Sequence, residues 1–150
     1  MDKYDLAIID ELQKNGKISI VELGKQIGLS TSATSERIKK LEQEDIIQGY
    51  RAIINADKIG IDITAFVTIQ TGNMSIHEMS KMLASIPQIQ ECHKVTGDAS
   101  FMVKVKTGST KELVKLLDQI SDVTLSTYTY MVLSTIKETT CIDLQNVSTE

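Results

Sequence analysis

Gly24-Lys25-Gln26-Ile27-Gly28-Leu29-Ser30-Thr31-Ser32-Ala33-Thr34-Ser35-Glu36-Arg37-Ile38-Lys39-Lys40-Leu41 is the stretch on which the fold turns. Two helices crossing at a tight turn need a small residue where they touch, a residue tolerant of positive φ at the turn, and an apolar plug beyond it. Gly24, Gly28 and Leu29 meet those needs in order. Ser30 has the short hydroxyl that caps a following helix, predicted from about Thr31 to Glu44. Within that helix Thr34, Ile38 and Leu41 recur at i, i+4 and i+7 and form its inward stripe. The Thr34 hydroxyl can bond back to the carbonyl of Ser30. At ~100° per residue, Ser32, Glu36 and Lys39 lie opposite the core, with Ala33, Ser35 and Lys40 beside them and Arg37 at the edge.

This is the pattern of a helix-turn-helix whose second helix enters a DNA groove. Small polar residues in the first turn let the helix N-terminus approach phosphates and the groove floor. Thr31, Ser32 and Ser35 are candidates for hydrogen bonds to bases or phosphates. Arg37, Lys39 and Lys40 are candidates for phosphate contact. A plain helical hairpin with a solvated face would also carry charges. The glycine spacing, the capped helix and the basic cluster together favour DNA binding.

Upstream, Leu6, Ile8, Ile9 and Leu12 give residues 5–15 a helical stripe, with acidic Asp5 at its start and Asn15-Gly16 at its end. A second helix is expected over Ile20–Ile27. Downstream the texture changes. Residues 46–54 read as extended, and the domain boundary is expected near Gly60. Residues 63–71, 89–96, 101–107 and 123–136 are rich in β-branched and aromatic side chains, as strands are. Ser75-x-x-Glu78 and Ser109-x-x-Glu112 are two capping boxes that open helices between them. The order β-α-β-β-α-β is that of a ferredoxin-like domain. The expected fold class is thus α+β: a winged helix-turn-helix in residues 1–60 and a ferredoxin-like domain in residues 61–150. The tail from Thr139 is expected to be a short extra element or disordered.

Composition bounds the function. The chain has 150 residues, 41% apolar and 24% charged, with a net charge of −4. Residues 1–60 hold nine Lys/Arg against ten Asp/Glu, and residues 61–150 hold seven against ten. Any DNA-binding face is therefore a local patch, because phosphate neutralisation needs positive charge. No apolar run approaches the ~20 residues that span a bilayer, and the opening residues show no signal peptide, so a cytoplasmic, nucleoid-associated location is expected. Cys92 and Cys141 lack the spacing of a zinc site and are expected to be reduced, packed residues. No phosphate loop, metal-spaced cluster or nucleophile–base pair points to an enzyme, and His77 and His93 stand apart from any such set. No cofactor or metal is expected.

The chain resembles the Lrp/AsnC, or feast/famine, regulators over essentially its full length. The matching stretches are Asp5-Leu-Ala-Ile-Ile-Asp-Glu-Leu12, Glu22-Leu-Gly24, Gly28-Leu-Ser30, Arg37-Ile-Lys-Lys-Leu-Glu42, Ile47-Gln-Gly-Tyr50, Val95-Thr-Gly97 and Lys104-Val105. The resemblance implies a winged helix-turn-helix joined to a domain that oligomerises, commonly to octamers, and binds amino acids or related metabolites near the turn between its second and third strands. In this chain that turn is Gly97-Asp98-Ala99-Ser100, the expected effector site. The family often has Gly-Asp-Tyr-Asp there, so an aromatic ring and a second carboxylate are missing. The family also often has Gly where Asp45 stands. The implied partners are double-stranded DNA, further copies of the chain and a small-molecule effector. Two alternatives keep much of this reading: a ligand-independent DNA-compacting protein of the same fold, and a stand-alone metabolite sensor.

Overall fold

The computed structural model describes residues 1–145 and 147. The elements run α1 (Lys3–Lys14), α2 (Ile20–Ile27), α3 (Thr31–Gln43), a 3₁₀ turn at Asp57–Ile59, β1 (Ile63–Thr71), α4 (Ile76–Ala84), β2 (Ile89–Lys94), β3 (Phe101–Thr107), α5 (Thr110–Ser121) and β4 (Thr124–Met131). They form two units. Met1–Ile53 packs with the segment from Lys137 onward, and Ile54–Ile136 makes the second. The division thus falls before the expected boundary near Gly60, and the tail joins the first unit instead of the second. The described residues of the tail form neither a helix nor a strand: Gln13 of α1 holds it by side-chain hydrogen bonds to Ile142. Its Cys141 is exposed, contrary to the packed position expected, while Cys92 packs beside the sheet core.

Local chemistry explains the helix ends. Helix α1 begins earlier than expected because Asp2, not Asp5, is its cap. The Asp2 carboxylate accepts from the amides of Tyr4 and Asp5, and the Asp5 carboxylate accepts from the Asp2 amide in return. Helix α2 ends on Gly28 at φ +74°, the left-handed conformation a glycine takes freely. Helix α3 ends in a Schellman motif: Ile46 N–H donates to Leu41 O at 2.9 Å and Asp45 N–H to Glu42 O at 3.1 Å. The left-handed residue of that motif is Asp45 (φ 57°), a position glycine would occupy with less strain. Residues 46–54 join no strand ladder among the described residues.

Where α2 meets α3, a Cβ on Gly24 would lie 2.9 Å from both Leu29 O and Thr34 Oγ1. The backbones can approach only because there is no side chain. Thr34 is fully buried, and its hydroxyl donates to Ser30 O at 2.9 Å, so its polar atom is satisfied. Ile8, Leu23 and Leu41 form the buried centre of this unit, with Ile9, Leu12, Ile18, Ile27, Ile38 and Ile47 around them.

In the second unit the strands lie in the order β2-β3-β1-β4, all antiparallel. Successive strand residues face opposite sides. Ala65, Val67 and Ile69 of β1 and Phe101, Val103 and Val105 of β3 are buried in one core with Met79 and Leu83 of α4 and Leu113, Leu116 and Ile120 of α5. The two helices therefore cover one sheet face. The N-terminus of α4 is a full capping box on Ser75 and Glu78. At α5 only half of the expected box forms: Ser109 Oγ accepts from Glu112 N–H, but the Glu112 carboxylate takes the amide of Gly108 at 3.0 Å.

Candidate nucleic-acid interface and effector cleft

Helix α3 presents its first turn openly. Ser30 Oγ accepts from Ala33 N–H at 3.2 Å and also meets Ser32 Oγ at 3.2 Å. Thr31 and Ser32 are exposed, as are Lys39 and Lys40 further along. Lys40 lies 3.8 Å from Glu44, one turn on, an exposed pair of little energetic weight. Ser35 is half-buried. It borders a groove of about 320 Å³ shared with Ile20, Ile38, Lys39, Glu42 and Tyr50. Tyr50 closes that groove by donating its hydroxyl to Glu42 at 3.0 Å. Burial, and then the Glu42 carboxylate, push the Tyr50 hydroxyl up to about 12.

Arg37 has a different use from its expected role as a phosphate contact. Its guanidinium lies 2.7 Å from Asp5 and 2.8 Å from Asp2, and over the Tyr4 ring at 5.4 Å. The carboxylates of Asp5 and then Asp2 raise its proton affinity further. Asp2 in turn is held below the ordinary carboxylate range, by the Asp5 amide foremost. The two capping aspartates of α1 thus double as the seat for the one arginine of α3. Asp2 was missing from the expected site because its role depends on a partner 35 residues away.

In the second unit, Gly97 makes the bend between β2 and β3 at φ +113°. Asp98 and Ala99 line a cleft of about 610 Å³ together with Thr68, Gln70, Ser126, Tyr128 and Tyr130. The cleft offers hydroxyls, an amide, two aromatic rings and one carboxylate; its lining has no basic side chain. Ser100, the fourth expected effector residue, serves elsewhere. Its amide donates to Ile69 O at 2.8 Å, and its hydroxyl meets the Thr71 amide at 3.3 Å and the Thr71 hydroxyl at 3.1 Å. It braces the turn against the end of β1. The tyrosines of the cleft went unnoticed in the sequence, although the Thr-Tyr-Thr-Tyr alternation of residues 127–130 puts both on one sheet face. Among the described residues no group of acidic, histidine or cysteine side chains could hold a metal. No helix of the described residues is long and apolar enough to cross a membrane.

Residues 64–142 match the family profile described as the Lrp/AsnC ligand binding domain, and residues 1–48 match a winged helix-turn-helix DNA-binding profile. The chain belongs to the Lrp/AsnC family. It is 35% identical over 142 residues to the HTH-type transcriptional regulator FL11 of Pyrococcus furiosus, covering 93% of this chain and 94% of that one. It is 34% identical over 155 residues to the leucine-responsive regulatory protein of Haemophilus influenzae, covering 97% and 91%. The solved structure of LrpC from B. subtilis superposes with a TM-score of 0.86 at 28% identity, covering 91% of this chain and 97% of that one. The relatives are named as regulators, and the Lrp/AsnC chain is a DNA-binding transcriptional regulator with a ligand-binding domain.

The Arg37 geometry yields a test. Replacing Arg37 by Ala leaves the largely buried Asp5 carboxylate short of a partner. Urea unfolding should show a loss of about 1–2 kcal/mol, the range for hydrogen bonds to charged groups discounted for partial exposure. The lock is lost as pH falls through the depressed Asp2 value, so the gap between wild type and variant should narrow in acid. Unchanged stability with a DNA salt slope reduced by about one would place Arg37 on phosphate instead.

Proposed function

We propose that this Lrp/AsnC protein is a sequence-specific, oligomeric transcription regulator that reads DNA with the N-terminal half of α3. The observation that carries this reading is the open first turn of α3, with Thr31 and Ser32 exposed on a helix pinned in place by Gly24, Thr34 and Arg37. Thr31, Ser32 and the edge of Ser35 would meet bases and nearby phosphates, and Lys39 and Lys40 would neutralise phosphate. Arg37 acts through the position of α3. The net charge of −4 weighs against the sequence-tolerant compacting alternative, since binding without base readout leans wholly on positive charge. Fluorescence anisotropy with a site selected from random duplexes tests the assignment. Replacing Lys39 and Lys40 by Ala should weaken binding to every sequence and lower the salt slope by up to about two. Binding unchanged at every salt concentration would remove α3 from the interface.

Oligomerisation is read from the sheet. The face turned away from α4 and α5 exposes Phe66, Met102, Tyr128 and Tyr130; the register pairs Phe66 with Tyr130 and sets Met102 and Tyr128 on either side of Thr68. A contiguous apolar and aromatic face asks for cover, and a second copy of the chain, in a dimer able to build toward an octamer, would supply it. Light scattering at micromolar concentration should give at least twice the monomer mass; a clean monomer would defeat the idea.

The effector is read from the cleft. Asp98, on the cleft lining, would pair with a ligand ammonium, while the Ser100 hydroxyl meets Thr71. The cleft lining has no basic side chain for the ligand carboxylate, so a zwitterionic amino acid is poorly held, because an unpaired buried charge is costly. The common amino acids at millimolar concentration should therefore leave the melting temperature nearly unchanged. A ligand at a hundred times its dissociation constant adds about 2.7 kcal/mol, an effect easily seen in such a melt. A clear rise with leucine or methionine, abolished by Asp98→Asn, would show that the altered turn still takes amino acids.

A further inference from the structure

The chain passes between its two units twice, at 53–54 and again at 136–137. The second passage starts from β4, the strand that brings Tyr128 and Tyr130 to the cleft. The Val132 amide still donates to Thr64 O at 2.9 Å, so the chain leaves the sheet only after that residue. It then becomes part of the DNA-binding unit. In the last turns of α1, Gln13 takes hold of residue 142 with both ends of its carboxamide: the Ile142 amide donates to Oε1 at 2.7 Å, and Nε2 donates to the Ile142 carbonyl at 3.2 Å. The Cys141 thiol donates to the Gln13 carbonyl oxygen at 3.5 Å. The Cys141 amide bonds to Thr139 Oγ1 and the Gln145 amide to Asp143 Oδ1, which shapes the segment on either side.

A carboxamide that pairs with both the N–H and the C=O of one residue copies the two-bond exchange of an antiparallel strand pair. It fixes which residue docks, not merely that something docks. The clasp at residue 142 is polar, since the Ile142 side chain remains 71% exposed, and only Leu144 of the strap is half-buried. A few exposed hydrogen bonds with little apolar burial open readily, so the contact suits a device that lets go.

We propose that residues 137–145 form a releasable strap through which β4, a wall of the ligand cleft, holds helix α1 of the DNA-binding unit. The inference rests on the regulator and effector readings and adds the route between them. Cleft occupancy that shifts β4 pulls or slackens the strap; α1 carries the change to α3 through the Asp2/Asp5 seat of Arg37.

The full-length chain with Gln13→Cys and Cys92→Ser, keeping Cys141, tests both parts. With oxidised glutathione, Cys141 should form an intramolecular disulfide to position 13, seen as a faster-migrating single chain on a non-reducing gel. A matched Asp10→Cys control should cross-link at least tenfold more slowly. A disulfide joining two chains would pass the strap to a partner copy and overturn the proposal, as would no disulfide at all. In parallel, Gln13→Ala should speed amide exchange at Ile142 at least tenfold; unchanged exchange would count against the docking. Locked and reduced forms should then differ at least threefold in affinity for a selected duplex, and agreement within twofold would overturn the coupling. Failure of the wild type to bind any duplex would sink the regulator reading and the coupling with it, while the cross-link would still report the strap itself.

Discussion

The close passage of α2 over α3 sets the geometry of the DNA-binding unit. It exists because Gly24 offers no Cβ to the Thr34 hydroxyl and the Leu29 carbonyl, each of which would stand 2.9 Å from one. Thr34 fits the crossing for a related reason. Its hydroxyl folds back onto the Ser30 carbonyl, leaving a compact, satisfied group against the glycine. Gly28 turns the chain in a left-handed conformation, and Ser30 caps α3 directly after it. The exposure of Thr31 and Ser32 and the aim of Lys39 and Lys40 all derive from that crossing.

Each unit is held together internally by different physics. The sheet domain buries twelve apolar side chains in one cluster among the described residues, whereas the DNA-binding unit buries three. At roughly 1.5–3 kcal/mol per fully buried side chain, three supply little surplus over chain entropy. The smaller unit therefore leans on directional contacts: the Asp2/Asp5 box, the Arg37 bridge, the Tyr50–Glu42 bond and the Gln13 clasp. Among the described residues, Arg37 alone of the three basic residues of α3 bridges to α1, through Asp2 and Asp5.

Much of this was legible in the sequence, and the reasons are local. Helix α2 and the strands β1 and β3 lie where periodicity put them, because alternation and capping act within a few residues. The Gly24–Gly28–Leu29 spacing announced the crossing, and the Thr34 back-bond came from its neighbours. What escaped depends on partners distant in the chain. Arg37 looked like a phosphate contact until Asp2 and Asp5 arrived from α1. Ser100 looked like a cleft residue until its bonds to Thr71 appeared. The tail has no periodicity of its own, so nothing in it announced that it would return to Gln13. Asp45 is the instructive middle case: the family's frequent glycine marked the site, and the left-handed φ explains the preference.

The clasp at Gln13 also bears on how the protein is made. The DNA-binding unit is discontinuous in sequence, since residues 1–53 are translated first and Ile142 arrives only after the whole sheet domain has been added. At ~5–20 residues per second that delay is roughly 4–18 s. Helices α1 to α3 leave the ribosome with Gln13 unengaged. A nascent chain can thus form the helix-turn-helix early, but it gains the strap only after the sheet domain has been made. Completion of the sheet then precedes completion of the unit that touches DNA.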